Sequence, residues 1–584
     1  MIEPLRTETS DGMGIDWDVG IQMDDGIVLR ADVFRPIADG KYPAILTYGP
    51  YAKGLHFEDG YPTAWQILIR DHPEVLRGTS GKYANWEVVD PEKWVCDNFV
   101  CIRIDSRGVG RSPGVIDPWS PREARDCHDC VEWAAAQPWS NGRIGIAGVS
   151  YFATNAWHVA ALNPPHLAAI CVWEGGGDFY RDFTRQGGIV CDFLLNWYDI
   201  QVKSVQHGLG LRGARSRVTG LPIAGDETQS EEELRRNRVD FAQDILRHPL
   251  DDVYNRAHSA NWSKVRVPLL SAGSWGGNGF HLRGNVQGFL EAASEQKWLE
   301  MHGLEHWTHF YTDYGVGLQK RFFSYFLKRE PNGWDAHPRV QLLVRHPGER
   351  YVLRYEHEWP LARTKWTKMY LAPGGAELRS ESPASLEQAT FEAEGEGLTF
   401  KTSPMACETE ICGPAAAKLH VSSTTTDADL FVVIRLFDEM DREVHFVGAA
   451  DPHTPIAQGW LRASHRKLDP LKSTPVRPFH THDEVWPLAP GQTYELDIEI
   501  WTTNIVIPAG YRLGFSVLGH DYEYGGLGIP MSNFKNKMKG CGPAIHTMDR
   551  QSDVYKGTTS IYSGPGQPSY ILLPIIPTAD ASSS

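Results

Sequence analysis

No run of apolar residues in this chain approaches the roughly 18 that a membrane-crossing helix needs, which excludes a protein built of membrane helices. Cationic residues are in the minority: 57 Lys and Arg stand against 73 Asp and Glu, a formal net charge of −16. An excess of that sign argues against nucleic acid or an anionic membrane surface as partner. Cysteine is sparse, nine in 584 residues and scattered. That excludes a disulfide-stapled scaffold and fits a reducing compartment. The opening stretch MIEPLRTETSDGMGIDW has no apolar signal core, so a cytoplasmic location is expected. What the chain has in abundance is length, too much for one hydrophobic core, and tryptophan. Its 20 Trp should divide between core and pocket walls.

Apolar runs give the organisation. Residues 14–36 read as a β-hairpin turning at Asp24-Asp25-Gly26. Pro43–Tyr48, Phe99–Ile104, Ile144–Ala147, Leu167–Trp173, Val265–Gly273 and Trp298–His302 are short buried-strand runs. Helical patterns such as Pro121–Gln137 separate them, so a mostly parallel sheet is expected. Trp298–His302 reads as its last strand. Residues 179–261 carry helical patterns and no buried strand, the mark of a helical cap inserted in the sheet domain. From Val340 short alternating runs recur (VQLLVR, LFVVIRLFD, YELDIEIW, RLGFSVLG), an all-β jelly roll or sandwich. The expected units are a discontinuous α/β domain of residues 1–178 and 262–338, a cap of 179–261, and a β domain of 339–584.

The chemistry centres on NGRIGIAGVSYFATNAW, residues 141–157. It reads as a strand, a tight turn with Ser150 at its apex, and a helix. Small residues flanking the turn let strand and helix approach, as a nucleophile elbow requires. A serine there sits at a helix start, where free N–H groups stabilise an oxyanion. The general elbow pattern has Gly where this chain has Phe152. A serine nucleophile needs a histidine base, which in elbow hydrolases follows the final strand. The loop after Trp298–His302 offers His302, His306 and His309. His306, at the loop tip, is the expected base, with His309 as alternative. A zinc site on these three would need a helix where the pattern gives strand and loop, so no metal and no cofactor is expected. Asp105 to Ser112 is a glycine-rich loop without the Lys-Ser/Thr of a P-loop, and reads as a turn pinned by Asp105 and Arg107. Cys127 and Cys130 lie inside a helical pattern and read as structural thiols.

These motifs resemble the cocaine esterase and α-amino-acid ester hydrolase family, related to X-Pro dipeptidyl peptidases. The elbow Gly148-Val149-Ser150-Tyr151-Phe152-Ala153 matches, as do Gly49-Pro50-Tyr51, Asp105-x-Arg107-Gly108-x-Gly110-x-Ser112, Gly459 to Arg466 and Ile507 to Leu513. The resemblance spans nearly the whole chain and implies an α/β-hydrolase domain with an inserted helical cap and a C-terminal jelly roll. It implies Ser150 as nucleophile, with the Tyr51 hydroxyl and the Tyr151 N–H as oxyanion donors.

One position departs from the family. Where a Gly-Trp-Tyr-Asp-x-Phe stretch supplies the triad acid, this chain has Gly273-Ser274-Trp275-Gly276-Gly277-Asn278-Gly279-Phe280. Asn278 cannot stabilise an imidazolium by charge. A carboxylate at the end of the preceding strand can reach the same histidine, so Glu174, or else Asp178, is expected to serve. The expected activity is hydrolysis of an ester or amide of a small molecule through an acyl-enzyme. An acyltransferase or thioesterase on a carrier-bound acyl chain, an X-Pro-type dipeptidyl peptidase, and a catalytically weak binding protein are the alternatives. Trp173, Phe179, Trp197 and Trp275 are the candidate pocket walls, and self-association is left open.

Overall fold

The computed structural model describes residues 4–577. Its first layer is an eleven-stranded sheet. The strands are β1 (Arg6–Ser10), β2 (Met13–Gln22), β3 (Val28–Pro36), β4 (Tyr42–Gly49), β5 (Val100–Asp105), β6 (Ser140–Val149), β7 (Leu167–Trp173), β8 (Leu269–Ser274), β9 (Lys297–His302), β10 (Val340–His346) and β11 (Arg350–Glu356). Their order is β1-β2-β3-β5-β4-β6-β7-β8-β9-β10-β11. The strands from β5 through β10 in this order run parallel, and the flanking strands are antiparallel. The central runs are apolar throughout because helices cover both faces. Among these are α1 (Pro121–Ala135), α2 (Tyr151–Ala160) and α3 (Leu282–Glu291). Cys127 and Cys130 of α1 are buried in the core beneath the sheet.

Trp298–His302, expected as the final strand, is followed by two more. Val340–His346 pairs parallel to β9 and Arg350–Glu356 turns back against it. The sheet therefore runs past the 338–339 boundary read from sequence. VQLLVR alternates because it has Arg345, buried and bonded to the Asn504 carbonyl (2.9 Å) and Thr503 hydroxyl (3.0 Å) of the β part. A polar residue paid for by buried hydrogen bonds imitates the alternation of a half-exposed strand.

Between β7 and β8 the chain makes short helical turns and one two-residue hairpin, Arg185–Gln186 with Ile189–Val190. The C-terminal part is all β. Thr409–Ser423 pairs with Tyr494–Ile507 and also with Tyr570–Ile576. The sheet path thus returns on itself in a barrel-like ring of nine strands. Its interior is filled by Leu419, Leu430, Val432, Ile498, Phe515 and Ile571, all buried. The long connection from residue 519 to 557 leaves this ring. Met531, Met538 and Ala544 from it join the same buried cluster as Tyr51, Trp119, Tyr151 and Trp197. No described helix is long and apolar enough to cross a membrane.

Candidate active site

Ser150 sits between β6 and α2 at φ 59°, ψ −114°, a backbone conformation that L residues rarely adopt. Its neighbours hold it there. The Ser150 amide donates to the Trp173 carbonyl at the end of β7 (3.1 Å), and the Val149 amide donates to the Glu87 carbonyl (3.0 Å). Gly148 is required: a Cβ there would lie 2.4 Å from the Phe152 Cβ and 3.2 Å from the Glu87 carbonyl. Ser150 is half-buried, whereas Ile144–Val149 and Tyr151–Ala160 are buried throughout. The turn therefore offers its apex and little else.

The imidazole beside this hydroxyl is His281, with Oγ to Nε2 at 3.1 Å. His281 ends the loop that leaves β8 and directly precedes α3. Behind it stands Glu174, fully buried at the end of β7 with φ 55°. Glu174 Oε2 lies 3.7 Å from His281 Nδ1, and Oε1 lies 3.0 Å from His302 Nε2. The first distance is an ion-pair separation, longer than a hydrogen bond. Burial pushes His281 well below the ordinary histidine range, and the neighbouring His306 adds to the shift. Burial raises the Glu174 carboxyl, while His302, 3.0 Å away, pulls it back.

His306, the expected base, is engaged elsewhere. Its Nδ1–H donates to the Ala449 carbonyl at 2.8 Å, and its Nε2 lies 2.9 Å from Glu87 Oε1. Burial drives Glu87 well above the carboxylate range, with the Glu174 charge adding, and drives His306 down to about 4. Both shifts keep the pair neutral, so the Glu87 O–H donates to Nε2. The lone pair that a base would need is occupied. His309 packs edge-on against His302 and Tyr314. His302, His306 and His309 belong respectively to β9, a loop and a four-residue helical turn, so they share no helix face. Among the described residues no three His, Cys, Asp or Glu side chains group as a metal would need.

The acid candidates separate clearly. Asn278 turns toward the β part, where its Oδ1 accepts from the Gln458 amide (3.3 Å) and its Nδ2 donates to the Trp275 carbonyl. Asp178 caps the turn after β7 by accepting from the Arg181 amide and pairs with the Arg181 guanidinium at 3.0 Å. Of the three, Glu174 alone stands beside the imidazole that reaches Ser150.

Tyr51 follows β4, and Trp197 Nε1 donates to its hydroxyl at 3.1 Å. Burial raises its pKa well above the ordinary phenol value, with Trp197 and Ser150 pulling slightly the other way. It stays a protonated donor. The Tyr151 amide begins α2, ahead of the helical ladder, where N–H groups have no intrahelical acceptor. The Tyr151 ring stacks on Trp119 at 4.4 Å, and its hydroxyl donates to buried Glu123. Of the expected walls, Trp197 joins this aromatic group and stacks on Trp119 at 5.4 Å. Phe179 packs edge-on to Trp119. Trp173 and Trp275 do not line the site. Trp173 lies in the sheet core against His302 and Phe310, and Trp275 is buried toward Trp359 with its Nε1 donating to the Leu343 carbonyl.

His281, Glu87 and His302 are the residues of this cluster whose roles sequence reading missed. For His281 a signal exists. It is the only ionisable residue in Trp275–Leu282, the loop where the family pattern carries its acid.

Comparisons with known proteins show the family. Residues 25–311 match the family model described as X-Pro dipeptidyl-peptidase (S15 family). Residues 332–572 match the X-Pro dipeptidyl-peptidase C-terminal non-catalytic domain. A CocE/NonD family hydrolase from Staphylococcus aureus is 30% identical with a TM-score of 0.83, covering 99% of this chain and 97% of that one. The cocaine esterase of Rhodococcus sp. is 23% identical over 96% of this chain and 98% of its own length. An α-amino acid ester hydrolase shares the fold at 15% identity, with a TM-score of 0.67 over 98% of each chain. With an elbow serine, an imidazole on its oxygen and a carboxylate behind, matched end to end by such relatives, this chain belongs to the CocE/NonD family of serine hydrolases.

Proposed function

We propose that the protein hydrolyses an ester or amide of a small molecule, with Ser150, His281 and Glu174 as its triad. His281 Nε2 takes the Ser150 proton as Oγ attacks the substrate carbonyl. The Tyr51 hydroxyl and the Tyr151 N–H donate to the oxyanion, and Glu174 offsets the imidazolium charge. His281 then returns the proton to the leaving group, leaving an acyl-serine. Water attacks the acyl carbon, giving its proton to His281, which returns it to Ser150 Oγ as the acyl–oxygen bond breaks and the acid departs. The observation that carries this reading is the 3.1 Å contact between Ser150 Oγ and His281 Nε2. The substrate should be neutral or weakly polar, because the walls beside Ser150 are aromatic: Trp119, Phe183 and Trp197 stack in one group.

Residues 179–261 act as the cap that shapes this pocket, and the closed ring of β strands is in keeping with a jelly roll. An X-Pro dipeptidyl peptidase needs an acid to anchor the substrate amine. Glu231, Glu232 and Glu233 of the cap are exposed, and Glu233 is spent on a capping box with Ser230. The ester reading is therefore preferred to the peptidase named by the family model. No partner beyond the small substrate is proposed.

A fluorophosphonate probe tests the nucleophile: the wild type is labelled and Ser150→Ala is not. His281→Ala should lower turnover of a chromogenic p-nitrophenyl ester by about 10⁴-fold or more. Glu174→Gln should lower it by roughly a hundredfold or more. If His281→Ala keeps wild-type turnover, the proposed triad is wrong.

A further inference from the structure

The triad does not end at its carboxylate. His302 lies between two acids: Nε2 is 3.0 Å from Glu174 Oε1, and Nδ1 is 2.7 Å from Glu300 Oε2. All three side chains are fully buried. An imidazole with a carboxylate oxygen close to each nitrogen pairs with both carboxylates only as the imidazolium. The second oxygen of Glu300 is also occupied. Glu300 Oε1 accepts the Tyr314 hydroxyl at 2.7 Å, which in turn accepts Gln341 Nε2 at 2.6 Å. Glu300 is thus held as an acceptor and leaves the proton on the imidazole. The line from the serine reads Ser150, His281, Glu174, His302, Glu300, Tyr314.

We propose that His302, held as an imidazolium between Glu300 and Glu174, is a positioning residue that keeps Glu174 ionised and turned toward His281. This rests on the triad reading above. The physical need is plain, since a fully buried carboxylate without a cationic neighbour takes up a proton. A protonated Glu174 could not stabilise the imidazolium that forms on His281. The opposing shifts agree with the geometry: burial lowers His302, but the two acids raise it to about 10. The other groups facing His302 do not contest its charge. Trp173 stacks on it at 5.1 Å, and His309 lies edge-on at 5.4 Å. Burial lowers His309 to about 3, so it stays neutral. His306, further along the same loop, is neutral too.

The test is His302→Gln, which keeps a polar N–H group beside Glu174 and removes the charge. The rate of Ser150 labelling by the fluorophosphonate probe is followed from pH 5 to 10. A charge-holding role predicts labelling at pH 7 at least tenfold slower than wild type, recovering as pH rises and Glu174 ionises. The acid limb would then move up by about one pH unit or more. A merely structural role would lower the rate equally at every pH, and a wild-type profile would also overturn the proposal. If the variant does not fold, proton NMR of the wild type decides. Two exchange-protected imidazolium N–H signals of His302 should persist at pH 8, and a neutral ring there refutes the idea. Glu174→Gln separates the levels. If it leaves labelling unchanged, the triad itself is wrong. If it slows labelling while His302→Gln keeps the wild-type profile, only the role of His302 fails.

Discussion

Two histidines lie near one serine, with ring centres 5.5 Å apart, and a lone pair distinguishes them. His306 Nε2 lies against Glu87 Oε1, whereas His281 Nε2 faces Ser150. Restoring the family's acid by Asn278→Asp should therefore leave esterase turnover within about twofold, because position 278 addresses the β part and not an imidazole. A tenfold gain would return His306 to the mechanism. The depressed affinity of His281 for protons has a definite sign. The base works when neutral, so activity is full above its lowered pKa and is lost as pH falls through it. The acid limb of kcat/KM should lie below pH 6.5, the unperturbed histidine value, and a midpoint at pH 7 or above would contradict the assignment.

At the scale of elements, strand ends build the site. Tyr51 follows β4, Ser150 follows β6, Glu174 follows β7 and His281 ends the loop after β8, the carboxyl ends where open parallel sheets place their ligands. Ser150, Glu174 and Glu87 all hold positive φ, a clustering of backbone strain expected at a functional site. Gly148→Ala should force Phe152 aside, cost about 1–3 kcal/mol of stability and slow Ser150 labelling. Thermal unfolding together with the probe assay reads both effects. The elbow and the sheet strands were legible in the sequence because each is local: a turn motif, an apolar run. The base was not. The choice between His306 and His281 depends on where the Ala449 carbonyl and the Glu87 carboxyl come to lie, and both are far from either histidine along the chain.

For the whole molecule, the β part helps to complete the site. It supplies the Ala449 carbonyl that fixes His306, and its 519–557 connection packs against the residues before β8. Asp192 anchors that connection by accepting from the Thr547 hydroxyl (2.5 Å) and amide and from the Met548 amide. Asp192→Ala should remove these contacts, cost about 1–3 kcal/mol and make residues 519–557 more open to limited proteolysis. Unchanged cleavage kinetics would show that the connection is held by its apolar contacts alone.

The sequence by itself determined that a serine would stand strained between a strand and a helix, since small residues, an apolar strand and a helix start dictate that geometry within about seventeen positions. It also determined the succession of a parallel sheet, short helical turns and an all-β region, because periodicity reports which face of each segment is buried. Only the tertiary structure decided which imidazole keeps a free lone pair, which carboxylate stays charged and which tryptophans are core. Those depend on protons and hydrogen bonds shared between segments hundreds of residues apart, and burial, absent from the linear chain, sets their energies.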